Sequence, residues 1–212
     1  MLDEWIRTFV VLFVVIDPPG LAPLFAALTP RDDAASRKRM ALKGTALATL
    51  ILFGVMLIGD RVLVWLGIGL PAFRIAGGVL LFLLAIEMVF ARRSGLQGTT
   101  ALEQEEAERK EDVSVFPLAF PLIAGPGAIT TVLLMTGGNS EGIMVYGRLF
   151  IVLLAVLLLT LTSLLLASRI AKWLGETGAN IISRLLGLVL AALAAQFILD
   201  GLHGSLALLH PS

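Results

Sequence analysis

Asp17 is a carboxylate set inside an otherwise apolar run, and Pro18, Pro19, Gly20 and Pro23 crowd in behind it. A second cluster, Gly125, Pro126 and Gly127, with Pro117 and Pro121 ahead of it, interrupts another apolar run and leads into Thr130 and Thr131. Proline lacks an amide hydrogen and clashes with the preceding turn, and glycine opens positive φ, so both runs are expected to break as helices. A broken helix exposes carbonyls on one side, which attract a cation such as an ammonium. On the other side it exposes N–H groups, which attract an anion such as a carboxylate. A zwitterionic amino acid offers both charges. Asp17, Pro18, Pro19, Gly20, Gly125, Pro126, Gly127, Thr130 and Thr131 are therefore candidate substrate-binding residues. Asp17 has three readings: it holds the ammonium, carries a proton, or caps the helix that follows. Thr130 and Thr131 either offer hydroxyls to a ligand or bond back to their own helix. The bland alternative for each cluster is a kink with a packing role only.

Other polar groups fall in apolar runs. Gln196 is the neutral residue best suited to line a cavity. Glu87 joins Asp17 as a candidate proton carrier, although its place near a span end also suits pairing with Arg92. Asp200 is expected at the interface. Gly77, Gly78 and Gly187 suit close helix packing.

The elements that hold these groups follow from composition. The chain is 58% hydrophobic and 15% charged, with mean hydropathy +0.94, against about 25% charged in soluble domains. It is read as an all-α integral membrane protein. Net charge is zero, which gives no reason to expect nucleic acid as a partner. The absence of cysteine excludes disulfides and thiolate metal sites. His203 and His210 lie close to the C-terminus, so no metal and no cofactor are expected. Asp3 and Glu4 do not suit a cleaved signal peptide, and the first apolar run is expected to stay as a span.

At roughly 20 residues per span, six stretches qualify: Trp5–Leu28, Ala41–Gly59, Pro71–Ala91, Phe116–Met135, Tyr146–Ser168 and Ile182–Leu206. Twelve of the sixteen Lys and Arg fall in the segments joining spans one and two, three and four, and five and six. The other side holds Arg7, Arg61, Arg74 and Arg148. The positive-inside rule makes the richer side cytoplasmic and sets both termini outside, in the periplasm of a Gram-negative cell. The longest loop, 92–115, carries a run of glutamates and reads as a solvated cytoplasmic linker between repeat 1 (1–91) and repeat 2 (116–212).

Those halves are related. Ile16–Gly20 aligns with Ile123–Gly127 at an offset of 107, and Arg74–Leu80 aligns with Arg184–Leu190 at an offset of 110. Three spans per half makes this a 3+3 inverted repeat, a transporter architecture. As α-helix, Trp5 to Asp17 spans about 18 Å and Phe116 to Gly125 about 14 Å. Half of a roughly 30 Å hydrocarbon core is about 15 Å, so helices one and four are expected to break near the midplane.

Asp17-Pro18-Pro19-Gly20-Leu21-Ala22-Pro23-Leu24-Phe25 resembles the Asp-Pro-x-Gly-x-x-Pro-x-Phe segment of the MarC family. The run Pro117–Thr131 is similar to that family's second signature, and Arg74–Gly78 and Gln196–Gly201 match its third and sixth segments. The resemblance covers essentially the whole chain. It implies a six-span inner-membrane protein of bacteria or archaea. Some members, the SnatA-type proteins, transport small neutral amino acids such as glycine and alanine. One departure is Pro19, where relatives often have a residue such as Ile; the doubled proline is expected to lengthen the unwound stretch and alter the pocket.

The expected function is thus secondary transport of a small zwitterionic amino acid, with Asp17 and Glu87 as candidates for proton coupling, in contact with membrane lipid. No phosphate-binding loop is present to supply ATP drive. An intramembrane enzyme is the first alternative, but it lacks a Ser/His pair at depth and a Gly-x-Gly-Asp motif, and the chain is not expected to be an enzyme. A passive channel is the second, but no polar stripe runs through the spans.

Overall fold

The computed structural model describes residues 2–90, 112–136 and 143–209. The chain runs through helices α1 (Leu2–Ile16), α2 (Pro18–Leu28), α3 (Ala34–Trp65) and α4 (Leu70–Phe90). A π-type segment, Ser114–Ile123, precedes α5 (Pro126–Thr136), α6 (Ile143–Leu165) and α7 (Ala167–Leu209). Gly175, at φ 61, breaks α7 between its first two turns and its long remainder. All the described elements are helical.

Five stretches are long and apolar enough to cross a bilayer: Leu2–Leu28, Ala34–Trp65, Leu70–Phe90, Met144–Leu165 and Thr177–Leu206. The π-type segment and α5 together make a sixth, bent by 51°. Over its most apolar 18 residues Leu2–Leu28 is the best buried, 61% of them against 17% for Thr177–Leu206. The first broken span therefore sits at the centre of the bundle, where backbone freed by a break is kept from lipid. Leu12, Leu52, Leu81, Leu118, Ile123 and Leu153 form the core around it. Leu50, Leu57, Val64 and Leu185 face outward, as residues bathed in lipid do.

The two ends of the bundle differ. Glu4 of α1 pairs with Arg148 of α6 at the end that carries both termini. At the opposite end Lys43 of α3 holds Asp112 at 2.6 Å, and Arg37 donates to the Ser168 hydroxyl at 2.8 Å. Asp112 also accepts from the Ser114 N–H at 2.9 Å, fixing the entry to the π-type segment. Those bonds, led by the one from Lys43, hold its carboxyl at about 2, below the ordinary 3.8. The glutamate-rich part of the linker lies outside the described residues.

Helices α4 and α7 lie antiparallel along a seam of small residues. A methyl added at Gly78 would meet the Ile198 side chain at 2.7 Å and the Ala194 carbonyl at 2.9 Å. One added at Gly187 would meet the Ala85 carbonyl and the Val89 side chain, both at 3.1 Å. Gly201 stands as close to the Pro71 carbonyl, at 2.8 Å. Close backbone approach of this kind is how small residues join helices in lipid.

Two expectations are corrected here. The first half of span four is not α-helical, so a rise of 1.5 Å per residue does not apply to it. Prolines 117 and 121 cannot donate to an i−4 ladder. The segment instead closes wider loops, Leu118 N–H to the Val113 carbonyl at 3.1 Å and Ala124 N–H to the Ala119 carbonyl at 2.9 Å. Phe116 and Phe120 are extended, each ahead of a cis proline. Nor does Pro19 lengthen an unwound stretch. Only Asp17 separates α1 from α2, and both prolines sit in the first turn of α2. Those positions have no intrahelical acceptor for an N–H, so proline loses nothing there.

Candidate functional site

Asp17 forms the whole of the first break. Its backbone is left-handed (φ 50, ψ 60), a conformation that aspartate tolerates better than most residues. Its N–H still bonds the Phe13 carbonyl at 2.9 Å, closing α1. Its side chain caps α2, with Oδ1 accepting from the Gly20 N–H at 3.1 Å. Oδ2 accepts from the Ser183 hydroxyl of α7 at 2.9 Å. The residue is 4% exposed. Gly20 is required by this arrangement, because a methyl there would lie 2.2 Å from Oδ2 and 2.8 Å from the Ser183 hydroxyl. Of the three roles open to Asp17, capping is thus realised directly.

The break frees carbonyls of α1. Pro18 and Pro19 have no N–H to return to Val14 and Val15, and the Gly20 N–H turns to Asp17 rather than to Ile16. The second break frees N–H groups instead. The Ile129 N–H makes the bond back to the Gly125 carbonyl at 3.0 Å. The N–H groups of Gly127 and Ala128 thus precede the first intrahelical bond of α5. Gly125 has no side chain with which to cap them. A methyl on Gly125 would stand 2.2 Å from the Pro121 carbonyl, so the fold admits glycine alone there.

The two breaks adjoin. A methyl on Gly127 would touch Val15 at 3.4 Å and Leu84 at 2.7 Å, which sets the amide end of α5 beside the carbonyl end of α1. Thr130 and Thr131 are buried on the next turn. Thr8, Thr29, Thr49 and Thr160 all bond back to the carbonyl four residues earlier. The buried Thr131 hydroxyl makes no hydrogen bond, and that of Thr45 also stands unmatched. Glu87, half-buried on α4, is next to Met88, whose Cβ packs against Gly187, one turn along α7 from Ser183.

Gln196 does not reach Asp17 at the first break. Thirteen residues of helix, about 20 Å, separate it from Ser183. It lines a cavity of about 280 Å³ at the termini end, where it donates to Asp200 at 2.7 Å. Arg7, Arg74, Arg148 and Glu4 share that cavity with apolar residues that include Val11, Leu134 and Leu193. Local sequence marks those arginines by their side of the membrane, and Arg74 by its place in the repeat, but not the cavity they share. It also misses Ser183, and a cluster in which Tyr146 donates to Asp60 at 2.9 Å and Thr136 reaches it at 3.4 Å. Nothing in local sequence marks these pairs, since each joins separate spans. Among the described residues no group of His, Asp and Glu is placed to hold a metal ion.

A helical bundle with several apolar spans and a broken helix at its centre defines a multi-pass integral membrane protein. Residues 2–206 match the model of the MarC family integral membrane protein. The chain is 38% identical to the UPF0056 membrane protein YvbG of Bacillus subtilis, over 94% of each chain. It is 36% identical to a UPF0056 membrane protein of Archaeoglobus fulgidus, over 95% of this chain and 93% of the relative. It is 33% identical to YhcE of Escherichia coli, over 94% and 92%. The chain belongs to the MarC family. No solved structure matches it.

Proposed function

We propose that the chain is a secondary transporter of small neutral amino acids of glycine or alanine size. The observation that carries this reading is the apposition of freed carbonyls at Val14 and Val15 with freed amides at Gly127 and Ala128. A zwitterion's ammonium suits the first group and its carboxylate the second. The unmatched Thr131 hydroxyl, one turn into α5, supports a polar ligand at that level. The proposed substrate-binding residues are those of the two breaks, with Asp17 shaping the site as a cap.

The inverted repeat belongs to the same proposal. Gly78 meets Ala194 and Ile198, and Gly187 meets Ala85 and Val89; a shift of 109 exchanges the two sets. Pro18 and Pro126 each open a helix of 11 residues, related by a shift of 108. These contacts favour a register slightly different from the offsets of 107 and 110 read from residue matches. The proposed setting is the inner membrane with the termini end outside. Proton coupling is assigned to Asp17 or Glu87. Both Asp17 oxygens accept hydrogen bonds here, so a proton on Oδ2 requires the Ser183 hydroxyl to turn away.

The test is exchange of labelled glycine and alanine in proteoliposomes. Exchange above that of empty vesicles is expected. Failure of both, and of a broad amino acid panel, would overturn the reading.

A further inference from the structure

The cavity at the termini end is separate from the breaks and has its own chemistry. Three guanidinium groups, Arg7, Arg74 and Arg148, face two carboxylates, Glu4 and Asp200. Glu4 is committed to Arg148, and Asp200 accepts from Gln196. Arg7 and Arg74 have no carboxylate within ion-pairing distance among the described residues. The lining thus carries one net positive charge, concentrated on two arginines with forked donors unused. A guanidinium matches a carboxylate with two parallel bonds. The apolar part of the lining, with Val11, Leu134 and Leu193, suits a short side chain. At about 280 Å³ the space lies just under the usual range for drug-sized ligands, which suits a solute of few heavy atoms.

We infer that this cavity is a binding station for small carboxylates, with Arg7 and Arg74 as the carboxylate-holding pair and Glu4 limiting affinity by occupying Arg148. It rests on the transport reading only in that the bound solute would be cargo. The station itself needs nothing more than a small carboxylate.

The experiment uses the full chain in phosphatidylcholine nanodiscs, with binding of labelled alanine and labelled propionate followed by scintillation proximity, and ethylamine as competitor. Propionate is expected to bind and ethylamine to leave it in place. Arg74→Gln should weaken propionate binding at least about tenfold, the worth of a charge-assisted pair. Glu4→Gln should strengthen it about threefold or more by releasing Arg148, a gain that a misfolded variant cannot give. If ethylamine displaces propionate, or if Glu4→Gln leaves affinity unchanged or lower, the inference is overturned. Loss of propionate binding when anionic lipid replaces phosphatidylcholine would assign the arginines to lipid phosphate and overturn it equally. Propionate binding without amino acid exchange in vesicles would sink the transport reading and leave this one standing; amino acid exchange with no effect of either variant would do the reverse.

Discussion

The Ser183 hydroxyl donates to Oδ2 of Asp17 at 2.9 Å across 166 residues of sequence, tying the first broken span to α7. Ser183→Ala leaves a buried carboxylate oxygen without its donor and should cost about 1–3 kcal/mol. Thermal unfolding in detergent measures that loss. Asp17→Ala should fare worse than Asp17→Gly, since alanine loses the cap and pays the left-handed penalty of about 1–2 kcal/mol, which glycine escapes. Asp17→Asn keeps an Oδ1 acceptor and tolerates the backbone. It is expected to retain counterflow exchange and lose pH-driven accumulation; if both survive, the proton role of Asp17 is excluded.

Gly125 is the tightest test of the second break. Gly125→Ala forces a methyl onto the Pro121 carbonyl, a backbone atom that cannot rotate away, and should destabilise by about 1–3 kcal/mol. Gly127→Ala crowds the movable tip of Leu84 and makes ordinary contacts with Val15 and Leu81, so it should cost less. Gly54→Ala, with open space around it, should be neutral or stabilise helix α3 by about 0.5–1 kcal/mol. Melting temperatures ranked in any other order would contradict this packing.

The α4–α7 seam predicts matched sensitivity. Gly78→Leu and Gly187→Leu each push a side chain into the opposing backbone. Both should lower stability by similar amounts, about 1–3 kcal/mol. A large effect at one and none at the other would argue against the exchange of contact sets on which the inverted repeat rests.

The Lys43–Asp112 pair sets an acid-side expectation. The Asp112 carboxyl is held at about 2, below its ordinary 3.8. Its contribution is therefore complete above pH 3.8 and fades as pH falls from there through about 2. Both side chains are about half exposed, 50% and 46%, so the effect should stay within about 1 kcal/mol. Asp112→Asn should lower stability slightly at pH 6 and converge with the parent near pH 2. Parallel stability curves across that range would contradict the assignment.

The sequence marked both breaks because Pro18, Pro19, Pro121 and Pro126 obey a local rule, the missing N–H. It also marked the spans, because apolar length is local. It misjudged the extent of the breaks. Proline interrupts a helix interior yet suits its first turn, and only the cap at Asp17 decides which applies at Pro18 and Pro19. The π-type closure before Ala124 needed knowledge of how Leu118 docks on Gly44 of α3. Ser183 and the Arg7–Arg74–Arg148 grouping arise from tertiary convergence, which no spacing along the chain records. Depth alone suggests Gln196 as a site residue; it lines the cavity with Arg7, Arg74 and Arg148 and makes its hydrogen bond to Asp200 rather than to Asp17.

The seam at Gly78 and Gly187 also bears on what holds the third and sixth spans together. Lipid tails are as apolar as leucine, so expelling solvent gains nothing there. What remains is dispersion and weak Cα–H···O contact, each fading within a fraction of an ångström of separation. The cohesion of α4 with α7 is therefore a property of shape. It should survive a change of detergent or lipid headgroup and fail on the addition of a few carbon atoms.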